Sequence, residues 1–197
     1  SFYLVTNGGE REIPYSLRVQ AGNGGEVFGS LATPRDFAAL AKRDLETALR
    51  VFEYQDFTEA PFMQDARIRT IYEGLKGRAG RRNLLEEFLV ALHVKEPVRL
   101  SMDTGKRTYG NPLEPVGDSI DIAAGSWGYV SADIETDAPF IELVKTKITD
   151  RDFVNSRCRI HYRIVPGRLH KGRNFGRIRV RSLREEFVLE IEAMGDA

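Results

Sequence analysis

The sequence predicts an α+β chain: a three-helix segment followed by an antiparallel immunoglobulin-like β-sandwich, with a β-hairpin in front. Three observations predict it. Between 33 and 95, apolar residues recur every three or four positions, the period of one helix face. From 97 the period changes to two, in short runs separated by turn residues with no helical pattern between them. At the start, two β-rich runs flank Asn7-Gly8-Gly9, the pattern of a hairpin turn.

The hairpin joins Phe2-Tyr3-Leu4-Val5-Thr6 to a second strand expected over 13–19, where Ile13, Tyr15, Leu17 and Val19 alternate with polar neighbours. A lone hairpin is marginal in water. It is therefore expected to be the end of a preceding sandwich or to dock on the rest of this chain. Ala21-Gly22-Asn23-Gly24-Gly25 reads as a hinge. In Thr33-Pro34-Arg35-Asp36, Thr33 caps a helix, Pro34 takes its first position and Asp36 lies in its positive first turn. One apolar stripe follows through Phe37, Leu40, Ala41, Leu45, Ala48, Leu49 and Phe52. A second helix is expected over 65–76, with Ile68, Ile71, Tyr72 and Leu75 on one side. Asn83-Leu84-Leu85-Glu86 reads as a capping box opening a third helix, which runs through Phe88, Leu89 and Leu92 to about Val94. Strands are expected near 98–102, 119–123, 127–135, 141–144, 157–165, 176–181 and 186–191. The expected units are residues 1–30, hairpin and hinge; 31–96, helical; and 97–197, sandwich. The Cys…Trp…Cys arrangement of antibody domains is absent, so only the broader sandwich class follows.

Composition removes several function classes. One cysteine, Cys158, rules out a scaffold held by internal disulfides and allows a reducing compartment, so a cytoplasmic location is favoured. No apolar run approaches the roughly 20 residues a membrane-spanning helix needs. The 29 basic and 29 acidic residues balance, but unevenly along the chain. Residues 151–184 hold eleven Lys or Arg and one acid, Asp152.

Those basic residues are the sharpest candidate for a surface that binds something. Arg177, Arg179 and Arg181 alternate with Ile178 and Val180, so a strand would place the three guanidiniums on one outward face. Arg157, Arg159 and Arg163 alternate in the same way with Cys158, Ile160, Tyr162 and Ile164. If both strands share a sheet, they form one broad positive face for an acidic protein or another polyanion. Against that stands cross-strand pairing with outward acids such as Glu190 and Glu192. No aromatics interleave with the arginines, which speaks against single-stranded nucleic acid. Trp127 and Tyr129 lie near a turn, as a protein contact, a sugar platform or a cap on the end of the sandwich.

No catalytic constellation is legible. His93, His161 and His170 lack metal-ligand spacing, and no cofactor is expected. Cys158 falls on the apolar face of its strand and His161 on the opposite one, so they form no nucleophile and base. The glycine-rich stretches lack the Lys-Ser/Thr of a phosphate loop, and Asp118, Asp121, Asp133, Glu135 and Asp137 do not match a calcium loop.

Four stretches resemble an uncharacterised family of large bacterial proteins known only as a domain of unknown function. They are Thr33-Pro34-Arg35-Asp36-Phe37-Ala38, Leu85-Glu86-Glu87-Phe88-Leu89-Val90-Ala91, Asp137-Ala138-Pro139-Phe140-Ile141-Glu142-Leu143 and Leu169-His170-Lys171-Gly172-Arg173-Asn174-Phe175-Gly176-Arg177-Ile178. The resemblance implies tandem sandwiches with a helical insert and helical repeats further on. It makes this chain an internal piece: the last hairpin of one sandwich, the insert and a second sandwich. It implies no reaction and no catalytic residue. The expected function is a non-catalytic structural or protein-interaction module, its partner an unknown protein or neighbouring domains of the same chain. The alternative is a ligand-binding module, for a polyanion at the arginine face or a carbohydrate at the aromatic loops.

Overall fold

The computed structural model describes residues 2–6, 9–13, 29–78 and 80–196; for 2–13 it describes backbone alone. β1 (Phe2–Thr6) pairs antiparallel with β2 (Gly9–Ile13), with Phe2 opposite Ile13. The second strand therefore starts at Gly9 rather than at Ile13. The rest of the strand expected over 13–19, and the hinge, lie outside the described residues.

The helical unit opens as its sequence predicts. Thr33 caps α1 (Pro34–Arg43): its Oγ1 accepts from the Asp36 N–H at 3.3 Å, and its own N–H donates to Asp36 Oδ2 at 2.7 Å. The expected long first helix, however, breaks at Asp44, which has φ −147° and ψ 86°. Asp44 closes α1 through its N–H to the Leu40 carbonyl and caps α2 (Leu45–Glu53) through its carboxylate to the Thr47 N–H at 3.0 Å. Phe37, Leu40, Ala41, Ala48, Leu49 and Phe52 are all buried on either side of the break. The apolar stripe survives the kink, so periodicity could not show it.

Two 3₁₀ turns, Gln55–Glu59 and Pro61–Gln64, lead to α3 (Ala66–Leu75). α4 (Arg81–Ala91) starts two residues before the expected capping box. Gly80, at φ 94°, holds the capping position, and Asn83 instead donates to Glu87 Oε1 at 2.9 Å from within the helix. Over residues 33–95 the expected three helices are thus four among the described residues. His93 takes φ 57° beyond the end of α4. Its N–H bonds the Val90 carbonyl and the Val94 N–H bonds that of Leu89, a Schellman ending that turns the chain toward the sandwich.

The sandwich has nine strands: β3 (Leu100–Met102), β4 (Arg107–Tyr109), β5 (Val116–Ala124), β6 (Ser131–Thr136), β7 (Ile141–Leu143), β8 (Lys147–Thr149), β9 (Arg157–Ile164), β10 (Gly172–Ser182) and β11 (Glu186–Gly195). One sheet runs β4-β11-β10-β6-β8 and the other β3-β5-β9-β7. All pairs are antiparallel except the edge pair β4–β11. Strands β4 and β8 are three residues long, too short for alternation to mark them. The inner faces meet in an aliphatic core led by Ile120, Ile122, Ile160, Ile164, Ile178 and Leu189.

Candidate functional site

The two units meet at a buried ion pair. Glu86 lies on the inner face of α4, and Lys95 follows the Schellman turn. Lys95 Nζ donates to Glu86 Oε1 at 2.6 Å and to the Glu96 carbonyl at 2.9 Å, with its side chain 2% exposed. The turn between β5 and β6 closes over this pair. Trp127 packs on the helical core and lays its ring 4.8 Å from Lys95 Nζ. Gly128, at φ 135°, comes so close that a Cβ there would sit 2.6 Å from Lys95 Nζ. The Tyr129 N–H donates to Glu86 Oε2 at 3.2 Å. A charge pair out of water needs its remaining donors and acceptors filled, and here the sandwich fills them. Arg82 adds a second link from α4, to Asp150 after β8 at 2.7 Å and to Glu46 of α2.

This geometry relocates two expected site residues. Trp127 is not in a strand, since β6 begins at Ser131. Its ring is engaged by Lys95 and the helical core. Tyr129 lines a cleft of about 270 Å³ between α4 and the sandwich, with Asn83, Glu86, Leu100, Leu183 and Arg184 among its walls.

The arginines divide between two sheets, which corrects the expectation of a single broad face. Arg177, Arg179 and Arg181 lie on β10, Arg157, Arg159 and Arg163 on β9, and the two sheets turn these rows to opposite outer faces. On the β10 face the central basic row runs between acidic rows. Across β11, Arg177 faces Glu190 and Arg181 faces Glu186; across β6, Arg179 faces Glu135 and Arg181 faces Asp133. Arg181 pairs with Glu186 at 3.2 Å and Glu135 at 3.6 Å, and Arg179 reaches the same two carboxylates at 3.4 and 3.6 Å. Arg177 gives its backbone N–H to Asp137 Oδ1 at 2.7 Å. On the β9 face, Arg159 alone of the three is paired, to Asp121 at 2.8 Å. That contact holds the Asp121 carboxyl below its usual range and raises Arg159. Arg157 and Arg163 are exposed and make no ion pair among the described residues.

Sequence reasoning missed one polar cluster. Arg107 and Tyr109 of β4, Asp118 of β5 and Tyr162 of β9 tie the two sheets together. The two phenol oxygens are 2.5 Å apart, Tyr109 donates to Asp118 Oδ2 at 2.6 Å, and Arg107 donates to the Tyr162 oxygen at 3.0 Å. Burial pushes both phenols above their ordinary pKa. Burial also acts to raise Asp118, but the Tyr109 hydroxyl, the Ser119 N–H and Arg107 outweigh it and hold the carboxylate below its usual range. Phenols held protonated and an acid held ionised make a tie, not a base poised to take a proton. The only advance signal was the pairing of Arg107 and Tyr109 with polar Thr108 between them, in a run too short to read.

The remaining candidates are separated. Cys158 is buried on the inner face, its thiol pushed up by burial, and His161 points outward. His170 belongs to a turn held by Asn174, whose buried amide donates to the His170, Gly172 and Ala193 carbonyls. Among the described residues no three His, Cys, Asp or Glu side chains gather as a metal site, and no helix is long and apolar enough to cross a membrane.

The four stretches that carried the family resemblance meet in pairs. Phe37 packs with Phe88 in the helical core. Ala138, Phe140 and Ile141 crowd Gly176, where a Cβ would come within 2.8 Å of Ile141 Cδ1.

Together these features define a class of protein: a helical unit braced on an immunoglobulin-like sandwich, its polar clusters committed to holding elements together. Over residues 1–197 the chain matches the N-terminal model of the family of unknown function DUF5717, and it belongs to that family. No curated protein matches it. Among solved structures it is similar to a PapD-like domain of human CEP192, at 10% identity and a TM-score of 0.37, covering 52% of this chain and 91% of that one. The Calx CBD1 domain gives 13% identity and 0.36, covering 52% and 100%. An extracellular fragment of EsaA from Streptococcus gallolyticus gives 9% and 0.34, covering 89% and 44%.

Proposed function

We propose that this chain is a non-catalytic structural and protein-interaction module within a larger multidomain bacterial protein, organised as residues 1–30, 31–96 and 97–197. The observation that carries the reading is the desolvated Glu86–Lys95 pair, completed by Trp127, Gly128 and Tyr129 of the other unit. A pair that is satisfied only when the units are docked favours one fixed angle between them. That is the property of a brace, which sets the orientation of whatever lies on either side.

Two observations weigh against the other readings. The inter-unit cleft has Glu86, Glu87, Ser131 and Ser182 in its lining, but both carboxylates are already engaged, Glu86 by Lys95 and Glu87 by Arg78 and Asn83, which weighs against a free general base. On the sheet carrying β10, Arg179 and Arg181 are paired with Glu135 and Glu186, which disfavours nucleic acid, and the ring of Trp127 is engaged inside the joint, which disfavours a sugar platform.

The test is NMR relaxation of the whole chain. Amides of 31–96 and 97–197 are expected to report one rotational correlation time, and Glu86→Ala to split it into two. Two separate times in the unsubstituted chain would overturn the brace.

A further inference from the structure

The outer face of the β3-β5-β9-β7 sheet carries charge and space that the chain does not use. Along β9, Arg157, Arg159, His161 and Arg163 point outward. Opposite them in register on β5 stand Ala123, Asp121, Ser119 and Gly117. All four are small or short, so a low shelf runs beside a row of long basic side chains. At one end it forms a depression of about 510 Å³ lined by Gly117, Ser119, Val144, His161 and Arg163, among others. Val144 is 63% exposed there.

Gly117 is the informative position. Glycine inside a strand weakens it, and its usual reasons are a positive φ or a close approach. The other sandwich-strand glycines have such a reason. Gly172 has φ 89°, and Gly176 and Gly195 would put a Cβ into neighbouring atoms. Gly117 has neither: its φ is ordinary and a Cβ would meet nothing within 4 Å. Within the described residues nothing requires glycine here, so the space it leaves is explained by something that approaches from outside.

The charges say what approaches. Asp121 satisfies Arg159, while Arg157 and Arg163 stay unpaired; Glu142, opposite Arg163 on β7, forms no ion pair with it. Arg157 and Arg163 are six residues apart on one strand, about 20 Å. A nucleic acid backbone, with evenly spaced charge, would meet Asp121 and Glu142 between and beside the free arginines. A polypeptide can place carboxylates at the two ends only and apolar or small side chains between.

We propose that this shelf receives an extended protein segment bearing two carboxylates, which lies over Gly117 and Ser119 and pairs its acids with Arg163 and Arg157. The proposal rests on the reading of the chain as an interaction module. The brace itself is read by correlation times, so the two fail separately.

The probe is a blocked peptide of about seven residues, valine and serine alternating between two terminal glutamates, titrated against the whole chain by NMR. Its counterpart carries glutamines at both ends. The glutamate peptide is expected to shift the amides of Gly117, Ser119, Arg157 and Arg163, and the glutamine peptide to leave them in place. Gly117→Val, which fills open space with a strand-favouring side chain, is expected to keep or raise the melting temperature and to weaken the peptide about ten-fold or more. Arg163→Gln is expected to weaken it to a similar degree. No shift at millimolar glutamate peptide, equal shifts with both peptides, or unchanged affinity in both variants would overturn the proposal. So would a duplex oligonucleotide that shifts the same amides more strongly than the peptide.

Discussion

The helical unit and the sandwich bury their interiors with different side chains. In the helical unit, Phe37, Phe52, Phe57, Phe62, Tyr72 and Phe88 form one aromatic cluster, with ring centroids from 5.1 to 6.3 Å apart. Four short helices and two 3₁₀ turns leave an irregular space, and large rings fill it with few residues. In the sandwich, two sheets face each other at the regular spacing of such layers, and isoleucine, valine and leucine fill it evenly. Tyr162 and Phe140 are the buried rings there, and the Tyr162 hydroxyl is spent on the tie to β4. The difference teaches where each unit is fragile. The helical unit concentrates its stability in a few rings, while the sandwich spreads it over many methyl groups.

Breaking the aromatic cluster should have the largest effect. Phe88 touches four other rings of the cluster, and Phe88→Ala is expected to cost about 3–5 kcal/mol, read by denaturant unfolding. A loss under about 1 kcal/mol would mean that the rings repack freely and that the contrast is wrong. Next is the joint. Glu86→Ala leaves Lys95 buried without its partner and should cost about 3–5 kcal/mol. The double change Glu86→Leu with Lys95→Met should recover most of that loss while still removing the specific grip of the 127–129 turn. If the double variant is as unstable as the single one, the cost lies in packing and not in charge.

In the sandwich, Ile160→Val removes one methyl group from a fully buried position and should cost about 0.5–1.5 kcal/mol. The smallest effects are those of pH, and they should fall mainly on the sandwich. Asp118 and Asp152 are held below the ordinary carboxylate range, so the stability they contribute is present above that range and is lost as pH falls through their depressed values. Tyr109 and Tyr162 are raised above 10.0, so their contribution is complete below pH 10 and fades as pH rises toward their folded values. Phenolate absorbance in an alkaline titration checks this: three of the seven tyrosines should ionise late, Tyr109 and Tyr162 of the tie and Tyr72 of the helical unit, which burial also raises. If all ionise together near pH 10, the tie between the sheets is not formed in solution.

How much of this was legible depended on length. Runs of eight residues or more, such as β9 and β10, announced themselves by alternation, and Cys158, Ile160, Tyr162 and Ile164 were assigned inward from spacing alone. The short strands β4 and β8 carry too few positions for a period to show, whereas β3 and β7, equally short, lie within the runs expected at 98–102 and 141–144. The break at Asp44 was hidden because a capped kink preserves the apolar stripe. The expected capping box at Asn83 failed because Gly80 had already started the helix. For the candidate surface, the outward direction of each arginine was readable, and which strands would lie beside it was not.

The sequence by itself determined the class, the switch from helix to strand near residue 97, and the inward and outward faces of the long strands. These are local properties, set by dihedral preference and side-chain period. The tertiary structure alone decided that the two arginine rows lie on opposite sheets, that β11 and β6 pair Arg179 and Arg181 while Arg157 and Arg163 form no ion pair, and that Trp127 closes over a buried ion pair. Each of these depends on strand order or on docking, where contacts join residues tens of positions apart and no period along the chain records the partner.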